Sequence, residues 1–338
     1  MSQRLISIPG WQSWTPCVPN LLGKYALHFY SPFGQTNWQI KIPNIKTKKP
    51  ISGWCSFYCF GRNISSQKIL ANAEILGRFS TGMDKYLIVD DGWCSWGEWL
   101  NPYQKRFPQG MKKLAKDIQS RGCKPGIWLA PFSTNTPTGH RLPVFPYDYI
   151  IDLEDKNIQN KLFDSIKVIV EDWGYQLLKL DFLYVIYHIK RYKNSTVPDQ
   201  ILKEFLIRLR KDYPHIHLNI CGCPLGPAVS VADSMRFSAD IITPYLDNLW
   251  PINKLYHSSR LSQLEKNLEA RSESSKFWLL DPDAFVCRPQ TGFTHEQILK
   301  LHYLVKKANG VFFLGDDLTR LTSNQISTYI EPLWHSGQ

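Results

Sequence analysis

The 338-residue chain contains no apolar run near the ~18 residues that a membrane-crossing helix needs. Its opening residues, MSQRLISIPG, lack the apolar core of a secretory signal, so no membrane partner is indicated and a cytoplasmic location is expected. There is no CxxC pair among the eight cysteines. The close spacings Cys55/Cys59 and Cys221/Cys223 come without the paired Cys/His pattern of a zinc site. Reduced thiols therefore suit this chain better than a disulfide framework. No GxGxxG follows an early strand pattern, which weighs against a dinucleotide-binding open sheet. Internal repeats and low-complexity tracts are absent as well.

One imbalance is present: 40 Lys+Arg against 29 Asp+Glu give a formal charge of +11. The basic residues are scattered, with modest clusters at Lys46, Lys48 and Lys49 and at Lys190, Arg191 and Lys193. That distribution reads as a solvated basic surface, not a nucleic-acid footprint. Twelve tryptophans suit a site for ligands with apolar faces, sugars included, although core packing accounts for such rings equally well.

From residue 51 onward, short apolar runs alternate with amphipathic stretches. Strands are predicted at Ile51–Phe57, Tyr86–Asp90, Pro125–Ala130, Gln176–Asp181, His217–Cys221, Ser234–Phe237, Phe277–Asp281 and Val311–Leu314. Between them, sets such as Ile69, Leu70, Ala73 and Leu76, or Met111, Leu114, Ala115 and Ile118, each share one helical face. Ile298, Leu301 and Val305 form the last such face. Thr294 and Gln297 open it with a capping-box pattern, and Gly310 is expected to stop it. Strand–helix alternation implies parallel strands, and eight strands is the number that closes a (β/α)₈ TIM barrel. The expected organisation is a short N-terminal extension over 1–48, irregular or β-type, followed by a barrel over 49–338.

Acidic residues fall where such strands end. Asp90-Asp91 follow the second strand, Asp181 the fourth, Asp240 lies beyond the sixth, Asp281 and Asp283 end the seventh, and Asp316-Asp317 follow the eighth. In a parallel barrel all these ends open on one face, the face that carries active sites. Strand periodicity points Lys179 and Asp181 the same way and Leu180 the other. The pair fits a structural bridge or a nucleophilic carboxylate kept ionised by a neighbouring cation. Asp240 fits a second catalytic carboxyl or a loop cap, with Arg236 four residues before it. Asp90 and Asp91 could hold a divalent metal or sugar hydroxyls, and the nearby Trp93, Trp96 and Trp99 favour sugar.

Ten motifs in order resemble those of glycoside hydrolase family 36, the α-galactosidases and their raffinose-synthase relatives. They are GWQSW (10–14), GWCSFY (53–58), VDDGW (89–93), GEW (97–99), FPQGM (107–111), KPGIWLAPF (124–132), WGYQLLKLDF (173–182), CGCPLGPAVSVADSMRFSAD (221–240), DPDAFVCR (281–288) and GDDL (315–318). The resemblance implies a retaining hydrolase of terminal α-galactosides that needs no metal and no cofactor. By position in these motifs, Asp181 matches the nucleophile and Asp240 the acid/base. Asp90 and Asp91 match the pair that accepts hydrogen bonds from the galactose C4 and C6 hydroxyls. Trp99, Lys179 and Arg236 match further sugar-binding residues, and Phe57, Cys221 and Asp281 are placed with them; Phe57 stands where the family often has Trp. The flanking β-domains of the family have no counterpart here beyond a remnant around Trp11 and Trp14. The expected partner is a small α-galactoside with an open aglycone side. A homo-oligomer is compatible, since some relatives build the pocket rim from a neighbouring subunit. A galactosyl transferase sharing the covalent intermediate, a metal-assisted enzyme built on Asp90, Asp181 and Asp281, and an inactive sugar-binding barrel remain alternatives.

Overall fold

The computed structural model describes residues 49–144, 147–189 and 198–334. The expected N-terminal extension, with Trp11 and Trp14, lies outside the described residues.

Parallel strands β1 (Ile51–Cys55), β2 (Asp84–Val89) and β3 (Lys124–Leu129) begin the barrel, each a run of buried apolar residues toward its carboxyl end. A small antiparallel sheet follows, with β4 (Ser133–Thr134) and β5 (His140–Val144) on either side of β6 (Tyr147–Ile150). The barrel resumes with β7 (Leu177–Leu180), β8 (His217–Ile220), β9 (Ser234–Arg236) and β10 (Leu279–Asp281). It ends with β11 (Ala284–Phe285) and β12 (Val311–Leu314). The large sheet runs β10-β9-β8-β7-β3-β2-β1-β12-β11 and is parallel at every pairing.

The fold is thus an α/β barrel of eight predicted strands, with the seventh in two pieces. Its first half, β10, pairs with β9, and its second half, β11, pairs with β12. Between the halves lie Pro282, which has no N–H to give a ladder, and Asp283, held at φ 84°. The kink lets one strand serve both neighbours and close the ring. At the other end of the same seam, a Cβ on Gly310 would lie 2.3 Å from the Leu280 carbonyl oxygen, so only glycine lets β12 approach β10 there. The helix before it ends on Asn309, which takes the left-handed cap conformation at φ 47°. Gly310 is therefore required by the seam, and Asn309 is the stop.

Helices α1 (Ser66–Arg78), α2 (Gly110–Ser120), α3 (Lys156–Lys167), α4 (Pro198–Asp212), α5 (Ile252–Arg271) and α6 (His295–Ala308) alternate with the strands. Three of their starts are satisfied by side chains: Ser65 Oγ accepts from Lys68 N, Asp155 from Asn157 N, and Thr294 with Gln297 makes the predicted capping box. The predicted faces Met111/Leu114/Ala115/Ile118 and Ile298/Leu301/Val305 are buried, and so are Ile69, Ala73 and Leu76 of the first face, with Leu70 only half-buried at its edge. No helix among the described residues is long and apolar enough to cross a membrane.

Candidate active site

The carboxyl ends of β1, β2, β3, β7 and β9 surround a pocket of about 660 Å³, open to solvent. Its wall includes Phe57, Tyr58, Arg62, Asp90, Asp91, Trp96, Trp128, Lys179, Asp181, Phe182, Asp240 and Tyr245. Four carboxyl groups thus face two cations and six aromatic rings. Carboxylates accept hydrogen bonds from hydroxyls, and rings cover C–H faces, so this wall suits a polyol with one apolar side.

Asp181 stands one residue past β7, where its N–H still bonds to the Leu129 carbonyl at 2.9 Å. Its Oδ1 accepts from the N–H of Phe182 at 2.7 Å and its Oδ2 from Trp128 Nε1 at 3.2 Å. These donors are neutral, so the carboxylate is oriented without being tied to a cation. Phe182 reaches Asp181 only by taking a left-handed conformation, φ 54° and ψ 29°, a strain of about 1–3 kcal/mol for a residue with a side chain. A side chain at Gly222 would be strained by its φ of 55°, and its Cβ would press to 3.3 Å from Asp181 Oδ1.

Lys179 and Asp181 do line one pocket, as strand periodicity predicts, while Leu180 is buried on the other side. The lysine, however, bonds to a different acid: its Nζ lies 2.7 Å from Asp90 Oδ2. Burial alone would lower the Lys179 pKa; the charge of Asp90 reverses this and holds the ammonium well above its ordinary value. The Cys55 thiol also donates to Asp90 Oδ2, at 3.1 Å, and burial with the charge of Asp90 keeps it protonated. Asp91 is gripped by Arg62 Nε at 2.6 Å and Trp96 Nε1 at 2.7 Å. Burial raises the pKa of Asp91, and Arg62 works against that.

Asp240 lies on the loop after β9, with its side chain 37% exposed into the pocket. Arg236 Nη2 donates to its Oδ1 at 2.8 Å. Its pKa is raised, first by the desolvation of a crowded pocket and then by Asp181 and Asp90, with Arg236 and Lys179 opposing.

Three further sequence candidates stand behind the pocket wall. Trp99 is buried against Trp93 and Trp128, with ring centroids 6.0 and 6.2 Å away. Cys221 is buried at the end of β8, its N–H bonded to the Leu180 carbonyl. Asp281 lies deeper, accepting from Asn219 Nδ2 at 2.7 Å and the Asp283 N–H at 2.9 Å, and it lines a separate small cavity under Tyr58, Lys179 and Arg236. Arg236 is itself only 2% exposed and meets the pocket through Asp240. Phe57 lines the mouth, because β1 stops at Cys55 and Phe57 opens a short helical turn. Tyr58, Arg62, Trp128, Phe182 and Tyr245 complete the wall without having been singled out. Trp128 was detectable, because it alternates with Gly126 and Ala130 on a predicted strand and points inward; Arg62 and Tyr245 come from loops with no pattern to read.

No protein-family model matches the chain. It is 26% identical over 207 residues to α-galactosidase 1 of Pediococcus pentosaceus, covering 52% of this chain and 26% of that one. Among solved structures, an α-galactosidase from Thermus thermophilus in complex with p-nitrophenyl α-D-galactopyranoside superposes with a TM-score of 0.69 at 23% identity, covering 86% of this chain and 62% of that one. The family 36 α-galactosidase AgaA of Geobacillus stearothermophilus superposes with a TM-score of 0.63 at 15% identity, over 86% of this chain and 42% of that one. The curated relative is thus matched over about a quarter of its length. The fold is an α/β barrel like those of these two structures, and the family 36 resemblance read from the motifs agrees with these similarities.

Proposed function

We propose that the protein hydrolyses terminal α-D-galactosyl residues with retention of configuration, Asp181 acting as nucleophile and Asp240 as acid/base. The observation that carries this reading is the contrast between two carboxyl groups on one pocket wall. Asp181 is oriented by neutral N–H donors, while Asp240 is pushed toward its protonated form by burial and by the charges of Asp181 and Asp90. Glycoside cleavage uses two such carboxyl groups, one as nucleophile and one as proton donor.

In the first step Asp181 attacks the anomeric carbon, and Asp240 gives its proton to the departing oxygen. In the second, the ionised Asp240 takes a proton from water, which displaces Asp181 and releases the sugar. Asp90 and Asp91 are held by Lys179, Arg62 and Trp96, with further acceptor capacity for hydroxyls. We place the C4 and C6 hydroxyls there, with Trp96, Trp128 and Phe182 covering the sugar's apolar face. Hydrolysis and galactosyl transfer share the first step and differ in which hydroxyl enters the second.

The test is incubation with a panel of chromogenic α-glycosides and with galactosyl oligosaccharides plus acceptors, followed by NMR of the products. Release of α-galactose as the first-formed anomer supports the reading. Release of the β-anomer refutes retention, preference for α-glucosides refutes the sugar assignment, and dominant transfer products assign a transferase.

A further inference from the structure

Among the described residues, Arg236 is the one cation hydrogen-bonded to Asp240, and it is shared. Its Nη2 donates to Asp240 Oδ1 at 2.8 Å, to the Tyr58 hydroxyl at 2.8 Å, and to Asp283 Oδ1. Asp281 Oδ1 stands 4.0 Å from its Nε. Asp283 is only 1% exposed, and its other oxygen accepts from the Ile241 N–H at 2.7 Å, the peptide directly after Asp240. Asp283 therefore holds the Asp240 loop from both sides, through the arginine and through the backbone. The left-handed turn between β10 and β11 points it there, with its own N–H fixed by Asp281.

We propose that Asp283 is a positioning residue for Asp240: it fixes the loop that carries the acid/base and draws off part of the Arg236 charge that would otherwise favour the ionised carboxylate. The proposal rests on the assignment of Asp240 above. The charge of Asp240 in turn raises the pKa of Asp283. The charged and titratable groups facing the cluster are Tyr58 after β1, Asp90 after β2, Lys179 and Asp181 at β7, Cys221 after β8, Asp281 at β10, and Tyr256 on α5. None of these also grips both Arg236 and the Ile241 N–H.

The experiment is a titration of the protein carrying ¹³C-carboxyl aspartate, followed by NMR, with the Asp240 resonance assigned from Asp240→Asn. In Asp283→Asn the Asp240 midpoint is expected to fall by about one pH unit, because Arg236 then serves one carboxylate fewer. Asp283→Glu, which keeps the charge, should restore most of the shift. An unmoved Asp240 midpoint in Asp283→Asn overturns the proposal. Should that variant not fold, Tyr58→Phe tests the same link. Losing the hydroxyl that donates to Asp283 makes Asp283 hold its proton more tightly and leaves Arg236 to Asp240, so the midpoint should again fall, and no change again overturns the idea. Turnover supplies the second readout: the basic limb of kcat/KM for a galactoside with a poor leaving group should move down with the midpoint. A shifted midpoint in a protein that turns over no galactoside would leave the coupling standing and sink the proposed activity.

Discussion

Lys179 Nζ lies 2.7 Å from Asp90 Oδ2, so one ion pair ties the end of β7 to the end of β2 across the intervening β3. Their side chains are 9% and 3% exposed. Both charges are needed together in so dry a place, since either alone would be left unpaired. Lys179→Met should therefore destabilise the fold by about 3–5 kcal/mol, read from urea unfolding. Adding Asp90→Asn should recover part of the loss. Additive losses in the double variant would mean the two charges are not energetically linked.

Asp181→Asn should abolish turnover of every glycoside. Asp240→Ala should keep activity on substrates with very acidic leaving groups, which need little protonation. Azide should accelerate the second step in that variant and yield a glycosyl azide with the α-configuration. Equal sensitivity of both variants to leaving-group acidity contradicts the assigned roles.

Asp91 is held by Arg62 and Trp96 on one edge of the pocket. Asp91→Asn keeps the shape and removes the charge, so the kcat/KM for α-galactosides should fall by an amount equal to about 1–3 kcal/mol. The corresponding α-glucosides, which lack the axial C4 hydroxyl, should lose less. A uniform loss on both sugars would place Asp91 outside C4 recognition.

Burial is the leading reason that the Asp283 pKa is raised above its ordinary 3.8, with the charge of Asp240 adding to it. A carboxyl whose folded value exceeds its unfolded value binds more protons when folded, so its contribution falls as pH rises between the two values. The stability of the unaltered protein relative to Asp283→Asn should therefore decline as pH rises from about 4, measured by urea midpoints across the acidic to neutral range. A difference that is flat with pH would show that Asp283 titrates alike in both states.

Much of the barrel is legible in the chain itself. Eight largely apolar runs became the barrel strands, because a parallel strand covered on both faces is apolar at most of its positions. The three helical faces quoted above turn inward for the same reason. Helix α5 escaped notice, because its first half buries Asn253, His257 and Arg260 in place of an apolar stripe, leaving Leu261, Leu264 and Leu268 for the second half alone. The small antiparallel sheet over β4–β6 was missed as well, its strands being two to five residues long.

By itself, the sequence determined which acids stand at the strand ends, since strand length and the period of two are local properties. Lys179 and Asp181 share a side for that reason. Which charge meets which was decided only by the closed barrel. Lys179 crosses to Asp90, Arg236 is divided between Asp240 and Asp283, and Asp281 is drawn behind the wall by Asn219. Those partners are 47 or more residues apart in every case but Arg236 with Asp240. Ion pairing depends on distance in space and on how much water is left between the charges, and neither is written in the order of residues.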